Sequence, residues 1–224
     1  MNPYSRHMPV PGSEPIAAVA ALGALLASAG LETAATYSGR KRDGGLSGTR
    51  GWVSALGTTL FVHREGSRQH DRRTLRIALL GVGSGLVAAW LAGLHPTLSA
   101  GSDDVRLFWA ALSVWLAGVG LRSWAVFALG PAFTRQIDVR HGQRVVTQGP
   151  YRCVRHPAYT GTLVAVSAIG AILGGWAGGA AALVFATAGF LPRIRQEDAL
   201  LHEQLGEPYA AYARKRARIA PYVW

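Results

Sequence analysis

The residues best suited to chemistry in this sequence stand together in the stretch GPYRCVRHPAYTG, at positions 149–161. The stretch holds two arginines, a histidine, two tyrosines and the only cysteine of the chain. Arginine binds anions, histidine donates or accepts a proton at either ring nitrogen, and tyrosine offers a flat ring and a hydroxyl. Four kinds of site use such a set: a redox or metal site, a membrane-entry anchor, a nucleic-acid patch, or a pocket for a polar cofactor at a membrane face.

The single cysteine argues against the first kind of site. Cys153 has no second cysteine with which to form a disulfide and no CxxC partner that would complete a metal site. We therefore expect no metal, and we interpret Cys153 as a small residue at the membrane interface.

The composition favours a membrane protein, since 50% of the residues are hydrophobic and only 16% are charged. A membrane span takes about 20 apolar residues. The last apolar run is too long for one span, and Gly174-Gly175 near its middle predicts a tight helical hairpin. The fold we predict is all-α and polytopic, with about five transmembrane helices, the last two as a hairpin, and a C-terminal cytoplasmic helical segment. The apolar runs lie at 15–37, 77–94, 107–129 and 159–191.

The distribution of charge supports this topology. Segments 38–76, 130–158 and 192–224 hold 20 of the 23 lysines and arginines, whereas 95–105 holds none. Basic loops stay in the cytoplasm, so we expect these three segments on that side of a bacterial inner (plasma) membrane, with the site facing the cytoplasm. The basic segments at the membrane surface account for much of the net charge of +11. We therefore expect membrane lipid as a partner and no nucleic acid.

Two features leave the topology open. Ala27-Ser28-Ala29 is similar to a signal-peptidase site, and cleavage there would invert every later span. The apolar segment 51–63 is short for a span. It fits an interfacial or re-entrant helix, and a sixth span is the alternative.

Local geometry gives the stretch 149–161 two interpretations. Arg152 and Arg155 are typical of interfacial anchors, with Pro157 opening a helix. Alternatively, Gly149-Pro150 forms a turn next to the exposed amides of that helix, which favour a carboxylate or another anion.

Three ordered blocks of the sequence resemble the isoprenylcysteine carboxyl methyltransferase family. The related phospholipid methyltransferases share the last two blocks more loosely. The resemblance covers roughly residues 107–224. It implies an integral membrane enzyme that uses S-adenosyl-L-methionine, with a methyltransferase core at 107–224 after an N-terminal transmembrane region with a basic loop at 1–106. The blocks are GLRSWAVFALGPAFT (120–134), VTQGPYRCVRHPAYTG (146–161) and RIRQEDALLHEQLGEPYAAYARKRARIAPYVW (193–224).

The same resemblance implies site residues. Arg155 and Glu197 are the catalytic candidates, and Glu197 would also pair with the amino group of the cofactor. Where the family usually has two consecutive glutamates, this chain has Glu197-Asp198, and Leu205 replaces an aromatic residue. The candidates for cofactor binding are Gln148, Gly149, Tyr151, His156, Pro157, Tyr159, Gly161, Glu197, Tyr209 and Tyr212.

Each assignment has an ordinary structural alternative. Arg193 and Glu197 stand at the spacing of a surface helix pair, and Tyr209 and Tyr212 at the spacing of a packing face. The basic residues at 214–218 suit a solvated or headgroup-facing end.

The function keeps alternatives as well. The acceptor is expected to be a lipophilic small molecule or a lipid-linked group carrying a carboxylate, thiol, hydroxyl or amine. A membrane sterol reductase that uses NADPH and a non-enzymatic membrane scaffold are the rival hypotheses.

Overall fold

The structure is a computed structural model that describes residues 69–129 and 145–221. Within these ranges the secondary structure is helical and contains no strand, which confirms the predicted all-α class for this part of the chain. The predicted span at 15–37 and the apolar segment 51–63 lie outside the described residues. The elements are α1 (Gln69–Leu94), α2 (Val105–Leu129), a 3₁₀ turn (Gly149–Arg152), α3 (Pro157–Leu205) and α4 (Glu207–Ala213).

Three helices in the described ranges are long and apolar enough to cross a membrane. The qualifying segments are Arg73–Leu94, Val105–Leu129 and Pro157–Leu205, with mean hydropathies of 2.0, 1.5 and 1.8. Their outer faces expose large apolar side chains, as expected of surfaces that contact lipid rather than water. Examples are Trp90, Trp109, Leu116 and Val184.

Helix α3 folds back on itself at Gly174 and Gly175, where the backbone leaves helical geometry. Gly175 has a φ of 61°, a conformation that glycine adopts without steric cost. Beyond the bend the second half of α3 lies against the first half. The hydroxyl of Ser167 in the first half donates to the carbonyl of Gly179 in the second at 3.1 Å. The two halves share an apolar cluster, which consists of Leu163, Val166, Ala182 and Ala186.

Glycines bring α1 and α2 close to the two halves of α3. Gly81 of α1 lies against Gly189, where a Cβ on Gly81 would sit 2.8 Å from the Gly189 Cα. Gly118 of α2 lies against the first half of α3, with Ala165 as a neighbour. Such close approach lets backbones gain van der Waals contact where lipid supplies no hydrophobic driving force. The bend and these contacts fix which helix ends meet.

The chain after α4 returns to the start of α3. Residues 216–220, which we call the strap, lie beside the loop that precedes α3. The carbonyl of Ala217 accepts the backbone N–H of Arg155 at 2.8 Å, and the carbonyl of Ile219 accepts the Thr160 hydroxyl at 2.6 Å. The strap therefore bonds to both the loop and the first turn of α3.

Candidate functional site

The fold-back of α3 brings its first turn next to residues near its other end. Tyr159 and Glu197 are 38 positions apart, yet the Tyr159 hydroxyl donates to Glu197 Oε2 at 2.7 Å. The loop before α3, helix α4 and the strap converge on the same place. We call this assembly the polar cluster, and its members are Arg155, His156, Tyr159, Arg193, Glu197, Asp198, Tyr209 and Arg218.

Asp198 lies at the centre of the polar cluster, with only 6% of its side chain exposed. Arg155 Nη1 donates to both carboxylate oxygens at 2.8 Å, and the Tyr209 hydroxyl donates to one of them at 2.7 Å. Arg218 Nε approaches at 3.0 Å and His156 Nε2 at 3.3 Å. A buried carboxylate is costly unless it is paired and hydrogen-bonded, and these donors meet that requirement.

His156 lies between the two acids that follow each other in α3. Its ring is buried, with Nε2 3.3 Å from Asp198 Oδ1 and Nδ1 3.8 Å from Glu197 Oε1. Burial by itself lowers the pKa of His156, but hydrogen bonds to Asp198 and Glu197 outweigh that effect and raise the pKa to about 9. The two carboxylates therefore favour the imidazolium form, which orients side chains and balances charge.

Glu197 is the more accessible of the two acids, since 31% of its side chain is exposed. Its partner Tyr159 accepts a hydrogen bond from Arg193 Nε at 3.0 Å. Arg193 is only 5% exposed, which rules out the alternative that placed Arg193 in an exposed surface pair. The arrangement holds the carboxylate of Glu197 in place while leaving part of it open.

Helix α4 fixes the loop from the other side. The Tyr212 hydroxyl donates to the carbonyl of Tyr151 at 2.8 Å, and the buried ring of Tyr209 meets His202 edge to face at 4.8 Å. Tyr209 therefore packs against α3, as the structural alternative proposed, whereas Tyr212 bonds to the loop. Tyr209 in addition bonds to Asp198, which packing alone would not require.

The remaining predicted positions surround the polar cluster. Gln148 is exposed just before the 3₁₀ turn, and Gly149 has a φ of 59°, which favours glycine. Pro157 is fully buried as the first residue of α3. Gly161 packs against α2, where a Cβ would lie 2.7 Å from the backbone nitrogen of Arg122. These residues shape the loop and the helix that carry the polar side chains.

Arg122 is the one charged residue of the apolar run 107–129, and its side chain turns towards α3. Its Nη1 donates to the Thr162 hydroxyl at 2.9 Å and to the Ala158 carbonyl at 3.4 Å. The charge of Arg122 is therefore satisfied by contacts with α3.

One donor in the polar cluster has no acceptor. Arg155 Nε is the single buried side-chain nitrogen or oxygen without a hydrogen-bond partner among the residues that the structure describes. Leaving a buried donor unpaired costs about 1–3 kcal/mol, and more for a charged group, so such an atom points to an acceptor supplied by a ligand.

Sequence reasoning missed Asp198 and Arg218 as members of the site. The replacement of the usual second glutamate by aspartate was the available signal for Asp198. No local pattern marked Arg218, which was interpreted as solvated or headgroup-facing. That interpretation is wrong for Arg218, because its guanidinium bonds to a buried carboxylate.

Comparison with known proteins finds a family model and several relatives to which the chain is similar. Residues 110–203 match the family model described as isoprenylcysteine carboxyl methyltransferase (ICMT) family. Protein-S-isoprenylcysteine O-methyltransferase B of Arabidopsis thaliana is 30% identical over 114 residues, which are 50% of this chain and 58% of that protein. A probable protein-S-isoprenylcysteine O-methyltransferase of Oryza sativa subsp. indica is 25% identical over 183 residues, 77% of this chain and 96% of that protein.

Proposed function

We propose that the chain, which is similar to the isoprenylcysteine carboxyl methyltransferase family over residues 110–203, transfers a methyl group from S-adenosyl-L-methionine to a lipophilic acceptor in the membrane. The relatives carry protein-S-isoprenylcysteine in their names. The acceptor class that we propose is accordingly the carboxylate of a lipid-linked cysteine.

The residues of the polar cluster fit the amino-acid end of this cofactor, which has one cationic and one anionic group. The partly exposed Glu197 offers an acceptor for the ammonium group of the cofactor. Arg155 Nε, the donor without an acceptor in the described residues, could bond to the carboxylate of the cofactor. The partly exposed ring of Tyr159 offers a flat surface for adenine. When bound, the cofactor supplies a methyl group on a cationic sulfur.

The position of His156 between two carboxylates is the observation that favours a carboxylate acceptor. A carboxylate needs no base before it is methylated, whereas a thiol or an amine must first lose a proton. The two acids beside His156 raise its pKa and favour the protonated ring, which is a poor base. The remaining work of the chain is to orient its ligands and exclude water, which suits an in-line displacement.

We infer further that the chain crosses the membrane five times, with the two halves of α3 as its last two spans, and that the polar cluster faces the cytoplasm. The excess of basic residues in the segments flanking the polar cluster supports this orientation. The exposed Cys153 and a cysteine placed at exposed Asp103 in a Cys153→Ser background report on the two sides. They should react with membrane-impermeant reagents from opposite faces of intact cells, and labelling from one face would contradict the inference.

Substitution of Glu197 tests the cofactor site directly. Glu197→Gln keeps the shape and removes the charge, so affinity for S-adenosyl-L-methionine should fall about 10- to 150-fold, as expected for a charge-assisted hydrogen bond. Calorimetry on the protein in detergent measures this affinity. Glu207→Gln is the matched control, because that glutamate is exposed and pairs only with Arg214 among the contacts described.

Three results would contradict parts of the proposal. Normal affinity in folded Glu197→Gln would remove Glu197 from the cofactor site. Binding of NADPH in place of S-adenosyl-L-methionine would favour a reductase, and binding of neither would favour a scaffold. Incubation of membranes with cofactor labelled on its methyl group, followed by identification of the labelled product, tests the acceptor class.

A further inference from the structure

Arg218 is linked to His156 in two ways, once directly and once through Asp198. Its backbone carbonyl accepts the N–H of His156 at 2.9 Å. Its guanidinium Nε donates to Asp198 Oδ2 at 3.0 Å, while the His156 ring meets Oδ1 of the same carboxylate at 3.3 Å. The main chain and the ring of His156 are thus both held through one residue of the strap.

The strap reaches the neighbouring loop residues as well. Ala217 accepts the backbone N–H of Arg155, and Val154 forms an isolated parallel bridge with Ala217. The Arg155 side chain then shares Asp198 with Arg218. The strap lies beyond residues 110–203, the part of the chain that matches the family model, so the match by itself assigns no role to it.

We propose that Arg218 is a positioning residue, which acts through Asp198 and through the backbone of His156 to hold Arg155 and His156 in the geometry that binds the cofactor. This inference rests on the proposed function for the identity of the cofactor. The ordering of the loop by the strap stands on contacts within the chain alone.

The orientation of Arg155 explains why such a residue is needed. Asp198 engages Nη1 of Arg155, and Nε remains buried without a partner in the described part of the chain. The carboxylate therefore fixes which edge of the guanidinium is left for a ligand. Arg218 fixes the carboxylate in turn, because it takes Oδ2 from the strap side. Loss of Arg218 would free Asp198 to turn and would change the direction of Arg155 Nε.

The test uses two readouts on the full chain in detergent. The first is the electron paramagnetic resonance spectrum of a nitroxide attached to Cys153, the chain's only cysteine, which is exposed in the loop. The second is the dissociation constant for S-adenosyl-L-methionine. The variants are Arg218→Gln and Arg218→Lys. The matched control is Arg214→Gln, which removes an arginine that is 65% exposed and bonded to Glu207.

We expect Arg218→Gln to make the label at Cys153 more mobile and to weaken cofactor affinity about five- to tenfold, the lower range for a partly exposed charged hydrogen bond. Arg218→Lys should restore much of both, and Arg214→Gln should change neither. If Arg218→Gln does not fold, Arg218→Lys alone should still show a smaller shift in both readouts.

Each other outcome is decisive. An unchanged label and unchanged affinity in Arg218→Gln would return Arg218 to a solvated role and overturn the inference. A mobile label with normal affinity would show that the strap orders the loop without positioning the site, which also overturns it. If the unmodified chain binds no S-adenosyl-L-methionine, the proposed function fails, and the label at Cys153 still decides whether Arg218 orders the loop.

Discussion

The packed helices and the polar cluster are held together by different forces. Glycine backbones contribute contacts between α1 and α3, as where Gly81 meets Gly189, and these contacts have little directional chemistry. In the polar cluster Asp198 binds four different side chains through directed hydrogen bonds. The helix contacts bring the site residues together, and the hydrogen bonds of the polar cluster determine what those residues can bind. Substitutions in the helices should therefore change stability, whereas substitutions in the polar cluster should change binding and pH dependence as well.

The largest effect should come from Asp198→Asn. This change leaves the buried side chains of Arg155 and His156 without their anionic partner, and breaking such a buried pair costs about 3–5 kcal/mol. Thermal unfolding in detergent should show a clear loss of stability, and cofactor affinity should fall with it. Asp198→Glu keeps a carboxylate at this position and should lose much less. Equal stability of Asp198→Asn and the original chain would show that the polar cluster is dispensable for the fold.

The difference between the two regions also explains what the sequence predicts and what it does not. Apolar runs can be recognised because they consist of residues that are consecutive in the chain. The runs at 77–94, 107–129 and 159–191 all lie within observed helices. The composition of the loop pointed to His156 as a polar site residue, and the structure places it in the polar cluster.

The partners of Asp198 could not be read in the same way. Arg155 is 43 positions away and Arg218 is 20, and they meet only because α3 bends and the strap returns. Arg193 is an example of the same limit, since its spacing to Glu197 is typical of a surface pair while the fold buries it. Sequence patterns predict the local geometry of a helix or turn. The contacts of Asp198 and Arg193 form only because α3 bends and the strap returns to its start.

The next largest effect should appear in the dependence of stability on pH. The pKa of His156 is about 9 in the folded chain and about 6.5 in an unfolded one, so protonation stabilises the fold. That contribution is complete below about pH 6.5 and is lost as the pH rises through about 9. The groups facing the ring are Asp198, Glu197 and Tyr159, which lies 5.9 Å from it between ring centroids.

The measurement is the unfolding temperature between pH 6 and 9.5 in a Cys153→Ser background, so that the chain carries no thiol. Burial raises the pKa of Tyr212 to about 12, so Tyr212 does not titrate between pH 6 and 9.5. The slope should flatten in His156→Gln. An identical slope in both proteins would mean that another group causes the pH dependence.

A smaller effect should follow from adding one methyl group between the helices. Gly81→Ala would place a Cβ 2.7 Å from the Phe185 carbonyl oxygen, so the helices must separate, and overpacking of this kind costs about 1–3 kcal/mol. Gly83→Ala is the matched control on the same helix, since a Cβ there meets no described atom within 4 Å. Gly83→Ala should be neutral or slightly stabilising, because alanine favours helix over glycine. Cofactor affinity of the folded protein should change little in either variant, and a specific loss of affinity in Gly81→Ala would weaken the contrast between the regions.

The smallest effect should come from an ion pair that matches the polar cluster in distance but differs in environment. Arg214 Nη2 lies 2.6 Å from Glu207 Oε1, closer than the 2.8 Å between Arg155 and Asp198, yet the side chains are 65% and 74% exposed. Water screens an exposed pair, and two long side chains lose freedom in forming it, so such pairs contribute about 0–1 kcal/mol. Glu207→Gln should therefore leave the unfolding temperature nearly unchanged, and added salt should remove what difference remains. A loss of stability comparable to that of Asp198→Asn would show that distance rather than burial sets the strength of ion pairs in this chain.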